Sequence, residues 1–237
     1  MKKLIISLII VMSIILFGCK NEIELNDNES IDMKNSQDLQ VEATETDFEN
    51  YTNFSLAVKY DTIGDMSKDA DCIIMGKVKE LEYVDVDVAC VYTKTIFEIE
   101  KCYKGNYQKG DLVTYSKYGG ITTLDNYWDD VKHHLDPKDN MTKEKAKNYT
   151  VASYIGTKDT MLQVDDKLLI FGKFHEEDLH KDIPKGSIYS LSVYQTEFYI
   201  DEAGNIERYV EDNEGGNMKQ TLAEFEEKTN EAIRISK

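Results

Sequence analysis

Residues 83–103 read YVDVDVACVYTKTIFEIEKCY, two consecutive runs in which side-chain character alternates almost residue by residue. In the first, Val84, Val86 and Val88 stand against Asp85 and Asp87. In the second, Thr95, Phe97 and Ile99 stand against Ile96, Glu98 and Glu100. A period of two places successive side chains on opposite faces of an extended chain, and a helix cannot keep such a pattern on one side. The segment therefore predicts antiparallel strands with one face buried. The apolar run CIIMGKV (72–78) predicts a strand before them. DLVTYSKY (111–118), DKLLIFGKF (166–174) and SIYSLSVYQTEFYI (187–200) predict three more, with turns at Lys104-Gly105-Asn106, Gly110-Asp111 and Gly119-Gly120. The last strand runs into a hairpin at 201–205, with IERYV (206–210) returning.

Two helices frame the strands. Thr62 with Asp65 three residues on predicts an N-cap for a short leading helix, and Ile63, Met66 and Ala70 share one face. Thr221-x-x-Glu224 has the form of a capping box and opens a closing helix at about 221–235, with Leu222, Phe225, Thr229, Ala232 and Ile233 inward. The fold class is mainly β (α+β), a barrel or strongly curved antiparallel sheet with one helix before it and one after. Between 120 and 163 the pattern weakens, with helical turns expected around 127–135 and 142–148. An insertion of that length between strands is commonly functional. It carries the only tryptophan, so Trp128 and Tyr127 are the candidate binding residues.

Two resemblances add to this reading. Asp71-Cys-Ile-Ile-Met-Gly-Lys-Val78, then Tyr92-Thr-x-x-x-Phe97-Glu-Ile-Glu-Lys101, Tyr103-Lys-Gly105 and Gly110-Asp111 resembles a module of exported bacterial proteins. More remotely, the same rhythm is similar to the five-stranded OB barrel of tissue-inhibitor and netrin-type modules, over about residues 60–200. That resemblance implies an antiparallel OB-like barrel and favours binding over chemistry. The N-terminal free cysteine pair through which those inhibitors act is missing here, so metalloprotease inhibition does not carry over.

At the N-terminus, Lys2 and Lys3 precede an apolar run from Leu4 to Phe17. The run is shorter than the roughly 20 residues a spanning helix needs, and it has the length and flanks of an export signal. Leu16-Phe17-Gly18-Cys19 resembles the lipobox of bacterial lipoproteins. That resemblance implies residues 1–18 as a cleaved signal peptide and Cys19 as the lipidated first residue. It also implies diacylglycerol and fatty-acyl (palmitate) attachment and a place on the outer face of the cytoplasmic membrane. Two or more acyl chains, each methylene contributing about 0.8 kcal/mol, would anchor the chain stably where one would not. Residues 19–50 are acidic and polar without periodicity, a composition that predicts a disordered tether. Residues 51–237 then form a single β-rich domain.

Charge narrows the partners. Without Lys2 and Lys3 the 28 basic residues become 26 against 45 acidic ones, a net charge of −19. Phosphate backbones repel such a chain, so no nucleic-acid partner is expected. Arg208 and Arg234 are the only arginines, leaving little material for bidentate anion grips. The expected partners are the membrane, through the lipid, and a protein, cell-wall or small-molecule ligand.

The chemistry-bearing residues are few. His175 and His180 lie five apart, not the four that put two ligands on one helical face, and His133 and His134 lie in the insertion. Together these four histidines form the alternative reading, a metal-dependent extracytoplasmic enzyme. No phosphate loop, nucleophile elbow or calcium-loop spacing is present, and no catalytic residue or cofactor is assigned. Strand parity puts Cys72 and Cys102 on opposite faces, so Cys72, Cys90 and Cys102 are expected to be free thiols in or beside the core. The reading that follows is a non-catalytic binding or interaction module.

Overall fold

The computed structural model describes residues 21–24, 47–52, 59–134, 140–155, 161–192, 195–208 and 218–235. The apolar run at 4–17, Cys19 and most of the acidic segment lie outside the described residues. Among the described residues no helix is long and apolar enough to cross a membrane. At the two ends of the acidic segment, strand β1 (Asn21–Glu24) pairs antiparallel with β2 (Phe48–Thr52).

The domain then enters through helix α1 (Ile63–Asp69), whose first turn is capped as its sequence dictates. Thr62 Oγ1 accepts from the Asp65 amide at 3.1 Å and donates to the Asp65 carboxylate at 2.6 Å. Ile63 and Met66, followed by Ala70, form its buried face. Strands β3 (Cys72–Asp87) and β4 (Cys90–Lys104) make one long hairpin around the tip Val88-Ala89. The sequence suggested two strands where β3 runs unbroken. The polar stretch that separated them, Lys79 to Glu82, holds a register shift between Val78 and Glu80 that bends the strand without ending it. β5 (Leu112–Tyr118) follows, then β6 (Gly120–Thr123), a 3₁₀ turn at Leu124–Tyr127, α2 (Trp128–Val131), α3 (Lys143–Ala146) and β7 (Thr150–Ile155). The chain closes with β8 (Lys167–Phe174), β9 (Ile188–Ser190), β10 (Glu197–Ile200), β11 (Asn205–Arg208), β12 (Met218–Thr221) and α4 (Leu222–Ile235).

Five of these strands close into a barrel in the order β3-β4-β5-β9-β8, with β8 returning to β3. Closure comes from β9, which pairs antiparallel with β8 and parallel with β5 (Tyr115 opposite Ile188, Ser116 opposite Tyr189). The expected mainly β, OB-like barrel with leading and closing helices is therefore the observed fold, and its one parallel seam departs from an all-antiparallel barrel. The predicted strand at 187–200 is divided. β9 seals one half of β8's free edge and β10 the other half, where Glu197 stands opposite Ile170. From β10 the sheet extends outward through β11 to β12.

The apolar runs of β3 and β8 are continuous because both strands are buried on both faces. Cys72, Ile74, Val78, Leu168 and Ile170 face the barrel interior with Phe97, Ile99, Tyr115 and Ile188. Ile73, Leu169 and Phe171 face outward into a second core under α1, α4 and the β10–β11 extension. There Phe225 of α4 meets Phe171 at 5.7 Å and Phe198 at 5.9 Å between ring centroids. The predicted capping box holds α4. Thr221 N–H donates to the Glu224 carboxylate at 2.9 Å, and the Glu224 N–H donates to Thr221 Oγ1 at 3.3 Å. Phe225 and Thr229 are buried, and Leu222 and Ile233 pack beside them.

Candidate functional site

The insertion is a folded layer. The pair Gly119-Gly120 (φ +97° and +151°) swings the chain out of β5 and straight into β6. A Cβ at Gly120 would stand 2.6 Å from the Tyr83 ring, so no larger residue fits that close approach. β6 pairs antiparallel with β7, which pairs parallel with β2, giving a small sheet of order β1-β2-β7-β6. The expected helical turns are present as α2 and α3. They cover this sheet with a core of their own, built from Leu124, Tyr127, Val131, Ala146 and Val151.

Tyr127 is fully buried within that core, and Trp128 packs half-buried against it. The two aromatic residues singled out by the sequence therefore hold the insertion together. Among the described residues a concave surface lies where the insertion meets the barrel. It is a small cleft of about 10 Å³, room for a single water, lined by Thr93, Lys117, Gly120, Ser153, Tyr154 and Leu162 among others. The Ser153 hydroxyl is buried there with no hydrogen-bond partner, and Thr93 Oγ1 donates to Gly119 O at 2.7 Å.

Lys117 gives the cleft its charge. It follows Val113 and Tyr115 on the inward parity of β5, and its ammonium contacts the Glu197 carboxylate and lies 3.3 Å from the Tyr199 hydroxyl. The two side chains are 4% and 1% exposed, an ion pair enclosed between β5 and β10, two strands that do not pair with each other. Burial pushes the Lys117 ammonium down to about 7, with the Asp166 carboxylate opposing that shift, and pushes Glu197 well above the usual carboxylate range. One Glu197 oxygen, Oε1, is buried without a partner. Burial thus draws both groups towards their neutral forms, and their mutual contact opposes it. The signal for this pair was in the sequence, as a charge at an inward strand position in both DLVTYSKY and YQTEFYI.

A second buried charge is structural. Arg208 is fully buried and donates through Nη1 to Tyr60 O at 2.9 Å and Gln195 O at 3.1 Å. It ties the chain entering α1 to the loop between β9 and β10.

The histidines separate. His133 and His134 are exposed in the turn after α2. His175 Nε2 lies 2.9 Å from Ser116 Oγ, and its ring stacks on Tyr189 at 4.6 Å between centroids. Burial holds its imidazole below the usual value, so at neutral pH Nε2 can accept from Ser116. His180 Nδ1 pairs with Asp182 at 3.2 Å. Among the described residues no three His, Cys, Asp or Glu side chains gather at one metal-binding point, so the four histidines of the alternative reading do not form a site. Ser116 and His175 make a hydroxyl–imidazole contact, yet among the described residues no carboxylate bonds to the other ring nitrogen. Ser116 is itself enclosed at 1% exposure. A working nucleophile needs an orienting group and room for an acyl group.

Among the described residues Cys72, Cys90 and Cys102 form no disulfide. Their placement is different from that expected. A bulge at Glu100, between the pairs Met75–Lys101 and Gly76–Ile99, reverses the parity of β4 beyond it. Cys102 consequently lies opposite Ile74 and packs against the barrel-interior cluster that contains Cys72, so the two share a face.

No protein-family model matches the chain, and no curated protein gives a significant match to it.

Proposed function

We propose that this protein is a lipid-anchored, non-catalytic binding module on the outer face of the cytoplasmic membrane. The Leu16-Phe17-Gly18-Cys19 sequence behind a short apolar run supports lipidation at Cys19 and cleavage before it. The acidic residues after Cys19 suit a spacer that lifts the domain from anionic headgroups. Binding rests on one observation above the others. The barrel interior is filled by side chains, and among the described residues a concave surface lies in the cleft that the insertion makes with β5. Among the described residues no nucleophile, base and oxyanion donor converge there. The cleft itself holds no more than a water, so recognition falls to its rim, where half-buried Tyr154 offers a surface to a partner at the barrel edge.

The test is photo-crosslinking in a bacterial host producing the full chain. A benzophenone amino acid replaces Tyr154 in one strain and exposed Glu231 of α4 in another. The proposal expects a discrete crosslinked species from position 154 that position 231 does not give. The same pattern from both positions, or no adduct at 154 in a strain whose chain is correctly folded, would overturn it.

A further inference from the structure

Two of the three described thiols stand together in a place that neither the cleft nor the lipid anchor uses. Cys72 opens β3 immediately after α1, and Cys102 lies near the end of β4, where the bulge at Glu100 turns it inward. Between them is Gly105, whose positive φ of +119° turns the chain after β4. A Cβ placed on Gly105 would sit 3.5 Å from Cys72 Cβ and 3.6 Å from Cys102 Sγ, so those two atoms are at most about 7 Å apart. The Tyr107 ring edge lies 3.5 Å from the same point, and the Cys72 Sγ leans towards β8, where a Cβ on Gly172 would stand 3.0 Å from it. The partners are unequal. Cys72 is fully buried, while Cys102 is half-buried and donates weakly to Lys104 O at 3.3 Å.

We propose that Cys72 and Cys102 are a redox pair that closes to a disulfide across the base of the β3–β4 hairpin, with Cys102 as the entry thiol and Cys72 as the resolving one. The oxidant is a small disulfide or a disulfide-exchanging protein. Cys102 thiolate attacks the external disulfide, forming a mixed disulfide and releasing one thiolate. Cys72 thiolate then attacks the Cys102 sulfur and releases the second. Two protein thiols are oxidised and one external disulfide is reduced to two thiols. Closing the bond requires Cys102 to rotate from Lys104 O, and Cys72 from Gly172, until their Cβ atoms approach to about 4 Å, the separation that disulfide geometry sets. The link spans a loop of about 30 residues, long enough to restrict the unfolded chain appreciably. It also fastens the hairpin base beside Lys104, whose ammonium donates to Ser67 O at 3.0 Å, to Lys68 O at 3.4 Å and to Ala70 O at the end of α1. Oxidation therefore locks α1 and the barrel in their docked arrangement. Burial, with Cys102 nearby, pushes the Cys72 thiol up to about 12, so the second step is the slow one near neutral pH.

The experiment uses the purified full chain in detergent, incubated with oxidised glutathione, then denatured, alkylated and digested without reductant for mass spectrometry. The expected result is a Cys72–Cys102 linked peptide, loss of both thiols together, and Cys90 still alkylated. The linkage should form in Cys90→Ser as in the native chain, disappear with dithiothreitol, and raise the thermal midpoint by several degrees. A stable glutathione adduct on Cys102 with Cys72 still alkylated would overturn the proposal, as would a Cys72–Cys90 link or three unreacted thiols. The chemistry is read on isolated protein, so it stands or falls independently of lipidation and of ligand binding.

Discussion

Replacing Lys117 by methionine removes one half of an enclosed ion pair and leaves Glu197 behind. Glu197 is 1% exposed; its Oε2 contacts Lys117, and its Oε1 already has no partner. The variant carboxylate therefore loses its one charged neighbour at the seam and gains no solvent. Orphaning a buried charge in this way costs about 3–5 kcal/mol. For a domain of this size that lowers the thermal midpoint by about 6–20 °C. The pH dependence identifies the cause. Burial raises Glu197 in the folded protein above its unfolded value, so across that window the folded state binds the extra proton and stability falls as pH rises. Without Lys117 the window widens, with a slope approaching about 1.4 kcal/mol per pH unit. The loss should be largest near pH 8 and smallest near pH 5, where Glu197 is neutralised by its own proton. Lys117→Met/Glu197→Met should recover most of the loss, because an apolar pair replaces the ion pair at similar volume. Urea unfolding of the three proteins at pH 5 and pH 8 decides it. A single variant that loses less than about 1 kcal/mol at pH 8, or equally at both pH values, would refute an enclosed, mutually dependent pair.

Four further outcomes follow from the packing. Phe225→Ala empties the aromatic contact with Phe171 and Phe198 and should cost about 3–5 kcal/mol in urea unfolding; a change below 1 kcal/mol would place α4 elsewhere. Thr221→Ala breaks the capping box and should cost about 1 kcal/mol, measured the same way. Gly120→Ala forces a methyl against the Tyr83 ring at a positive φ, so it should destabilise the protein and shift the amide resonances of Ser153 and Tyr154 before those of α4. His175 should titrate below 6.5 by NMR, and because the unfolded state then binds more protons, its contribution to stability is lost as pH falls below that value.

Most of the barrel was legible because strand alternation and turn chemistry are local. The hairpin, the β5 and β8 strands, the return at 201–205 and both helix caps were read from residues within a few positions of one another. What escaped was set at long range. The bulge at Glu100 has no local signature, yet it reverses the parity on which the cysteine placement depended. β7 was missed because TVASYI is short and only its partners β2 and β6 make it a strand. The run 187–200 looked like one strand because both halves align on β8, though with an excursion between them. In the insertion Tyr127 is buried and Trp128 packs half-buried against it, because a layer of this size must bury its own apolar surface first. The charged seam was legible only as an anomaly, a lysine and a glutamate on inward strand positions, and pairing them required knowing that β10 lies across from β5.

The claim from which the functional reading proceeds is that the chain works from a lipid anchor at Cys19. Metabolic labelling with an alkyne fatty acid in a bacterial host producing the full chain, compared with Cys19→Ala, measures it directly. A lipid anchor at Cys19 predicts label on the native chain, none on the variant, and a variant that keeps its N-terminal segment. Label that persists in Cys19→Ala, or a native chain that never acquires it in a host whose other lipoproteins are labelled, would contradict it.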